Sequence, residues 1–239
     1  GTEVIVYGRD FVQSSTLMCQ FGEGREMTVP VVHYFNSTTI LCITPPSYKP
    51  QQVIVKVTNN GYLDGDDIST GITYTYDTKV VIQSITPHMG PMSGNFSVKI
   101  TGGPFGHANF TPLSYTDSNN NTFSEIRCKF GSIAVQATMI DDGTIQCWAP
   151  PHPEGVYPLE ISLNDQDYTT QRMPFYFYKD PALSRIQPVA GPAESSGTIA
   201  VYGQNFVNSS LLTCRFGTRT SMGRFVTSNY IRCPTPSFP

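Results

Sequence analysis

The string Cys-x-Phe-Gly occurs three times in this chain, at Cys19–Gly22, Cys128–Gly131 and Cys214–Gly217. Each copy is followed by a second cysteine that opens a proline-bearing turn: Cys42-Ile-Thr-Pro-Pro, Cys147-Trp-Ala-Pro-Pro and Cys233-Pro-Thr-Pro-Ser. Self-similarity of this kind means one small unit repeated along the chain, and it constrains architecture before any other feature does. With 239 residues, the chain has room for two nearly complete units and part of a third.

Composition narrows what each unit is made of. Only 14% of residues are charged, whereas Gly (20) and Pro (19) are abundant beside 13 Tyr and 14 Phe, which suits short strands and tight turns rather than helices. A hydrophobic fraction of 39% and the absence of long charge runs exclude a disordered chain. The net charge is −3, and Lys and Arg are scattered along the sequence, so no nucleic-acid partner is expected. No stretch approaches ~18 apolar residues, so no membrane span is expected in this segment. No signal peptide is visible at Gly1, which says nothing about secretion because the chain opens inside a unit.

The third copy starts with Ile186-Gln-Pro-Val-Ala-Gly191-Pro192 and continues Gly197-Thr-Ile-Ala-Val-Tyr-Gly203-Gln-Asn-Phe206. The second reads Ile85-Thr-Pro-His-Met-Gly90-Pro91, then Gly94 to Gly102. The first begins at Gly1-Thr-Glu-Val-Ile-Val-Tyr-Gly8, level with Gly197, without the opening segment, and the third stops at Pro239, level with the region near Pro50. Both breaks fall mid-unit, which predicts a window on a longer repeat polypeptide. The expected division is 1–78 for a module lacking its first strand, 79–179 for a complete module, and 180–239 for the N-terminal part of a third. Junctions near 77–79 and 179–180 are short enough to hold the modules in a semi-rigid row.

Apolar residues alternate around each cysteine: Leu17, Cys19 and Phe21; Ile126, Cys128 and Phe130; Leu212, Cys214 and Phe216. The second cysteines follow the same rule with Ile40, Ile145 and Ile231 two positions before them. A period of two places these side chains on one strand face, directed to a core. Seven or so short strands per ~100 residues with inward cysteines predict an all-β chain of tandem immunoglobulin-like β-sandwich modules in a row. The second module departs from its siblings. Phe105 and Cys128 are 23 positions apart, against 8 for Phe11–Cys19 and for Phe206–Cys214, so it carries a polar insert of 15 residues.

These linked segments resemble the IPT/TIG family, immunoglobulin-like modules shared by plexins, transcription factors and many bacterial and protist surface proteins. The carrying motif is Ile-x-Pro-x-x-Gly-Pro, a Gly-x-x-Phe turn, Cys-x-Phe-Gly and Ile-x-Cys-x-x-Pro. It covers the chain apart from the insert at about 106–123. The cysteine-bearing form looks like the extracellular branch of that family, which implies a secreted or cell-surface location.

Six cysteines allow 15 connectivities. The repeat reduces them to the choice in which each module folds with its own pair: Cys19–Cys42, Cys128–Cys147 and Cys214–Cys233. Closing loops of ~20 residues is worth roughly 3 kcal/mol per module in the chain-entropy view. The alternative is six buried free thiols; metal binding is not expected, because His33, His88, His107 and His152 do not recur at equivalent places. Five N-glycosylation patterns occur, at Asn36, Asn95, Asn109, Asn120 and Asn208, with Asn95 placed at or within a strand start. Asp64, Asp66 and Asp67 form the only local acidic cluster and read as a solvated hairpin tip rather than a calcium loop. Asp141-Asp142-Gly143 reads as a turn. No catalytic residue and no cofactor is assigned.

The expected function is therefore a non-catalytic extracellular structural or adhesive repeat protein, a segment of a long glycosylated surface protein or fibre. Its partners would be neighbouring modules, other copies of itself and N-linked glycans, with strand exchange at the broken ends as a variant. Two other classes remain open: the stalk of a plexin-like receptor ectodomain, and an accessory module of a secreted carbohydrate-active enzyme. Glycopeptide mass spectrometry on native material should find N-glycans at several of the five asparagines, first among them Asn36, Asn109, Asn120 and Asn208; five bare asparagines would remove the expectation.

Overall fold

A computed structural model describes residues 1–61, 71–106, 114–116, 122–124, 126–191 and 197–236. Among the described residues the regular structure is β-strand apart from one short 3-10 turn, Arg25–Met27, and there is no α-helix. The Gly, Pro and aromatic content thus leads to the all-β class the alternating segments predict.

In the first module a three-stranded sheet has the order Glu3–Tyr7, Thr39–Ile43, His33–Asn36. It faces a four-stranded sheet ordered Thr28–Pro30, Met18–Phe21, Gln51–Thr58, Thr73–Tyr76. The period-two residues meet between the layers: Leu17, Cys19, Phe21, Ile40 and Cys42 are buried together with Phe11 and Met27. Val53, Val55, Val57 and Tyr74 from the last two strands pack against them.

The second module repeats this plan and adds its opening strand. That strand is divided between the two layers. Val81–Thr86 runs antiparallel to Ser97–Gly103 in one layer, and Met89–Pro91 runs parallel to Met173–Tyr178 in the other. Pro87 lies between the halves; lacking an N–H it cannot continue the first ladder. Strand Ile133–Asp141 also serves both layers. Residues 133–136 pair with Arg127–Phe130, and residues from Ala137 onward pair with Thr144–Trp148. Where Ser97–Gly103 meets Val81–Thr86 the register slips at Gly102, and a Cβ there would overlap the Val81 carbonyl oxygen. Glycine is required by that close approach, and Gly203 repeats it against the Ala182 carbonyl oxygen.

The core of this module is the largest. Val98, Ile100, Cys128, Phe130, Ile145, Cys147, Leu159, Phe175 and Phe177 all have no accessible surface. Phe130 meets Phe175 and Phe177 edge-on at centroid distances of 5.2 and 5.9 Å. The covering residues come from the paired strands Gly155–Ser162 and Met173–Tyr178.

The third module has a four-stranded sheet ordered Ala182–Gln187, Thr198–Gln204, Tyr230–Pro234, Arg224–Thr227, facing the pair Thr213–Phe216 and Arg219–Met222. Among the described residues, no strand of this module fills the place that Gly155–Ser162 takes beside Arg127–Phe130. Cys214 and Phe216 are accordingly only half-buried, whereas Cys128 and Phe130 are sealed. A cavity of about 730 Å³ lies on this side, lined by Ile199, Phe206, Leu212 and Phe216 and bordered by Phe96 and Tyr178 of the second module.

This difference sets the cost of truncation. Phe130→Ala should destabilise the second module by about 3–5 kcal/mol, read in urea from the fluorescence of Trp148, the one tryptophan of the chain. The equivalent Phe216→Ala, followed by circular dichroism, should cost less than half as much because its ring is already part-solvated.

Candidate functional site

The repeated cysteines sit on opposite layers. Cys19 belongs to Met18–Phe21 in the four-stranded sheet and Cys42 to Thr39–Ile43 in the three-stranded one, and the two form a disulfide with Cα atoms 6.5 Å apart. Cys128–Cys147 and Cys214–Cys233 follow, with Cα separations of 6.4 and 6.0 Å. All three separations are within the span that a disulfide bridges, and no cysteine is left free. The apolar residues two positions before each cysteine, with a phenylalanine two positions after each first one, explain the pairing. They turn each thiol into the interlayer space, where the other sheet holds its partner.

The sequons that fall on described residues are exposed. Asn36 lies at the turn into Thr39–Ile43, where its Oδ1 accepts hydrogen bonds from the Thr38 N–H (2.8 Å) and hydroxyl (2.7 Å). Asn95 lies before Ser97–Gly103 rather than inside it. Its φ is 60° and its backbone N–H donates to the Ala149 carbonyl at 2.8 Å, while the residue is exposed. Asn208 is exposed in the loop after Thr198–Gln204, and its sibling Gln13 is exposed too. Asn109 and Asn120 lie outside the described residues, as do Asp64, Asp66, Asp67 and His107.

The remaining polar candidates have structural partners. Asp141 accepts from the Gly143 N–H at 2.9 Å and Asp142 from the Gly106 N–H at 2.8 Å, so both shape a turn. Glu160 is paired with Lys129 at 2.9 Å and Arg172 at 3.8 Å, and Glu154 with Lys179 at 3.4 Å. His152 is buried, with its ring 3.8 Å from that of Tyr157 and 4.9 Å from that of Phe177. His33 packs on Phe35. Among the described residues no group of three or more His, Cys, Asp or Glu comes together as a metal site.

A contact between modules was not visible in the sequence. Turn residues of the second module reach the first strand of the first. Gln166 accepts from the Glu3 N–H at 3.0 Å and donates back to the Glu3 carbonyl at 3.1 Å, and the Thr2 hydroxyl donates to Asp167 at 2.7 Å. The Asn164 amide and the Thr2 hydroxyl hold the Asp167 carboxyl below its ordinary pKa. The stabilisation this carboxylate contributes is therefore present at neutral pH and lost as pH falls through the lowered value. At the other junction, Asp180 accepts from the Ser93 N–H at 3.2 Å and its carbonyl accepts from the Asn205 amide at 3.0 Å. The strands end at Tyr76 and resume at Val81, then end at Tyr178 and resume at Ala182, so little free chain separates the modules.

The domain model for the IPT/TIG family matches residues 1–76, 80–177 and 181–239. Among solved structures, one of the plexin A4 full extracellular region, domains 1 to 10, aligns with a TM-score of 0.50 at 18% identity, over 99% of this chain and 19% of that one. A second plexin A4 structure aligns with a TM-score of 0.42 at 15% identity, over 99% of this chain and 29% of that one. A protein of unknown function from Bacteroides thetaiotaomicron matches 54% of this chain and 34% of its own, at 18% identity and a TM-score of 0.31. At 18% identity the likeness to the first plexin A4 structure is one of fold, and this chain spans about a fifth of it.

Removing one cystine should act on its own module. The double change Cys128→Ala and Cys147→Ala should lower the second module's stability by about 2–4 kcal/mol, seen as an earlier Trp148 transition in urea.

Proposed function

The chain belongs to the IPT/TIG domain family, and on that premise we propose that it is a non-catalytic section of an extracellular, N-glycosylated structural or adhesive repeat protein. The observation that carries this reading is the interlayer cystine present in each of the three modules. Disulfides placed in every unit of an array belong to an oxidising compartment, since cytosolic thiols are kept reduced. Asn36, Asn95 and Asn208 are exposed at a strand end, a turn and a loop, which leaves each open to a glycan. Short junctions with side-chain bonds across them suit a role in which length and orientation matter. Its partners would be the neighbouring modules and further copies of the same polypeptide.

A second reading, the stalk of a plexin-type receptor, is favoured by one observation: the plexin A4 extracellular region matches the three modules in succession. Electron microscopy of native material separates the two, with long fibres supporting the first and discrete particles beside membrane the second. The compartment itself is tested by alkylating native, folded material without prior reductant. All six sulfurs should stay unlabelled; labelling of all six would sink the extracellular assignment and the glycans with it.

A further inference from the structure

The three modules share one strand register but not one surface. The outer face of the third module's four-stranded sheet holds Arg185, Tyr202 and Tyr230 on one rung, and Arg232 and Arg224 on the next. The register gives the matching positions of the second module as Ser84, Thr101 and Thr144, then Gln146 and Thr138. There the rung is closed by a plain hydroxyl contact, Ser84 to Thr101 at 2.7 Å. The fold is thus satisfied there by small hydroxyls and an amide, so it does not call for arginine at these places; the first module has Tyr7 level with Tyr202 but faces it with Thr39, so the paired tyrosines are the third module's own.

What the third module builds instead is a stacked array. The Arg185 guanidinium lies 4.2 Å from the centroid of Tyr202, and Tyr202 stacks on Tyr230 at 5.0 Å with an interplanar angle of 18°. Arg232 Nε donates to the Tyr230 hydroxyl at 2.9 Å. Arg224 is the direct cross-strand partner of Arg232, an arrangement that costs stability because like charges face each other. All three arginines are exposed, and among the described residues none is ion-paired with a carboxylate. Charge is also divided along the chain. Residues 180–239 hold five arginines, no lysine and two acids, whereas residues 1–179 carry a net −6.

We propose that this sheet face is a binding site for a sulfated polysaccharide. A guanidinium stacked on a ring keeps its edge N–H donors for a planar or tetrahedral oxyanion. The ring faces offer apolar surface between the charges. Strands repeat every ~4.8 Å, so the arginines, borne on the first, third and fourth strands, are spread over about 14 Å. An extended polyanion laid across the strands meets all three; a small single anion does not. A sulfated glycan rather than a nucleic acid is the ligand because the site rests on the extracellular reading above.

The test uses the purified 239-residue chain and heparin oligosaccharide, so it is read independently of whether a cell exports the protein, which alkylation decides. The chain should bind at about 0.15 M salt, with affinity falling as salt rises. Arg185→Ser, Arg224→Ser and Arg232→Ser should each weaken binding about tenfold, while Arg9→Ser and Arg25→Ser in the first module leave it unchanged. The pair Tyr202→Thr and Tyr230→Thr, which installs the second module's residues, should weaken binding several-fold without altering its salt dependence. Hydrogen exchange on the unaltered chain guards against misfolded variants, and heparin should protect Thr198–Gln204 and Tyr230–Pro234. No binding, binding indifferent to the three arginines, or equal binding of single-stranded DNA through them would each overturn the proposal. So would arginine-dependent self-association without heparin binding, which would assign the face to the acidic modules of a second copy.

Discussion

A sulfur–sulfur bond between the two layers of each sandwich is the constraint on which the rest of this structure depends. Each module is too small to bury a large core, and the cystine crosses that core at the point where the alternating residues of both sheets converge. It closes a loop containing Ile133–Asp141, the strand that passes from one layer to the other, so it ties the sheet carrying Cys128 to the sheet carrying Cys147 irrespective of what the surface residues do. Surface variation then becomes affordable, and the modules use it in different ways.

What varies is the outward surface. In the second module the strands Gly155–Ser162 and Met173–Tyr178 seal the cystine beneath four fully buried side chains or nearly so, Leu159, Ile161, Phe175 and Phe177. The outer faces differ from module to module. A Ser–Thr rung in one module is an Arg–Tyr–Tyr rung in the next, on strands whose registers coincide. The inward residues repeat along the array, and the outward ones differ from module to module.

Much of this was legible from residue order. Leu17, Cys19 and Phe21 announced a buried face by their spacing, and burial follows it. The motif Ile85-Thr-Pro-His-Met-Gly90-Pro91 was legible as a module start, but its division between two sheets was not. That division depends on which neighbour is available to each half, Ser97–Gly103 or Met173–Tyr178, and the latter pairs with residues 87 positions earlier, as Tyr176 does with Met89. Asn95 shows the same limit on a smaller scale. Its neighbours alternate like a strand, yet its positive φ and its bond to Ala149 set it in the turn before that strand. The bonds from Gln166 to Glu3 carried no local signal at all, because each partner is an ordinary turn or edge residue until the modules stand side by side.

The repeat, its two-residue alternation and the Gly, Pro and aromatic content together determined the fold class and the inward faces, and the need of every copy to fold with its own residues pointed to the partner of each cysteine. Only the tertiary structure decided which outward side chains become neighbours. Arg185, Arg224 and Arg232 are dispersed along the chain and read there as scattered charge. Antiparallel pairing sets their strands into one sheet, about 14 Å from first to fourth, and cross-strand register is a long-range property that no local window of sequence contains.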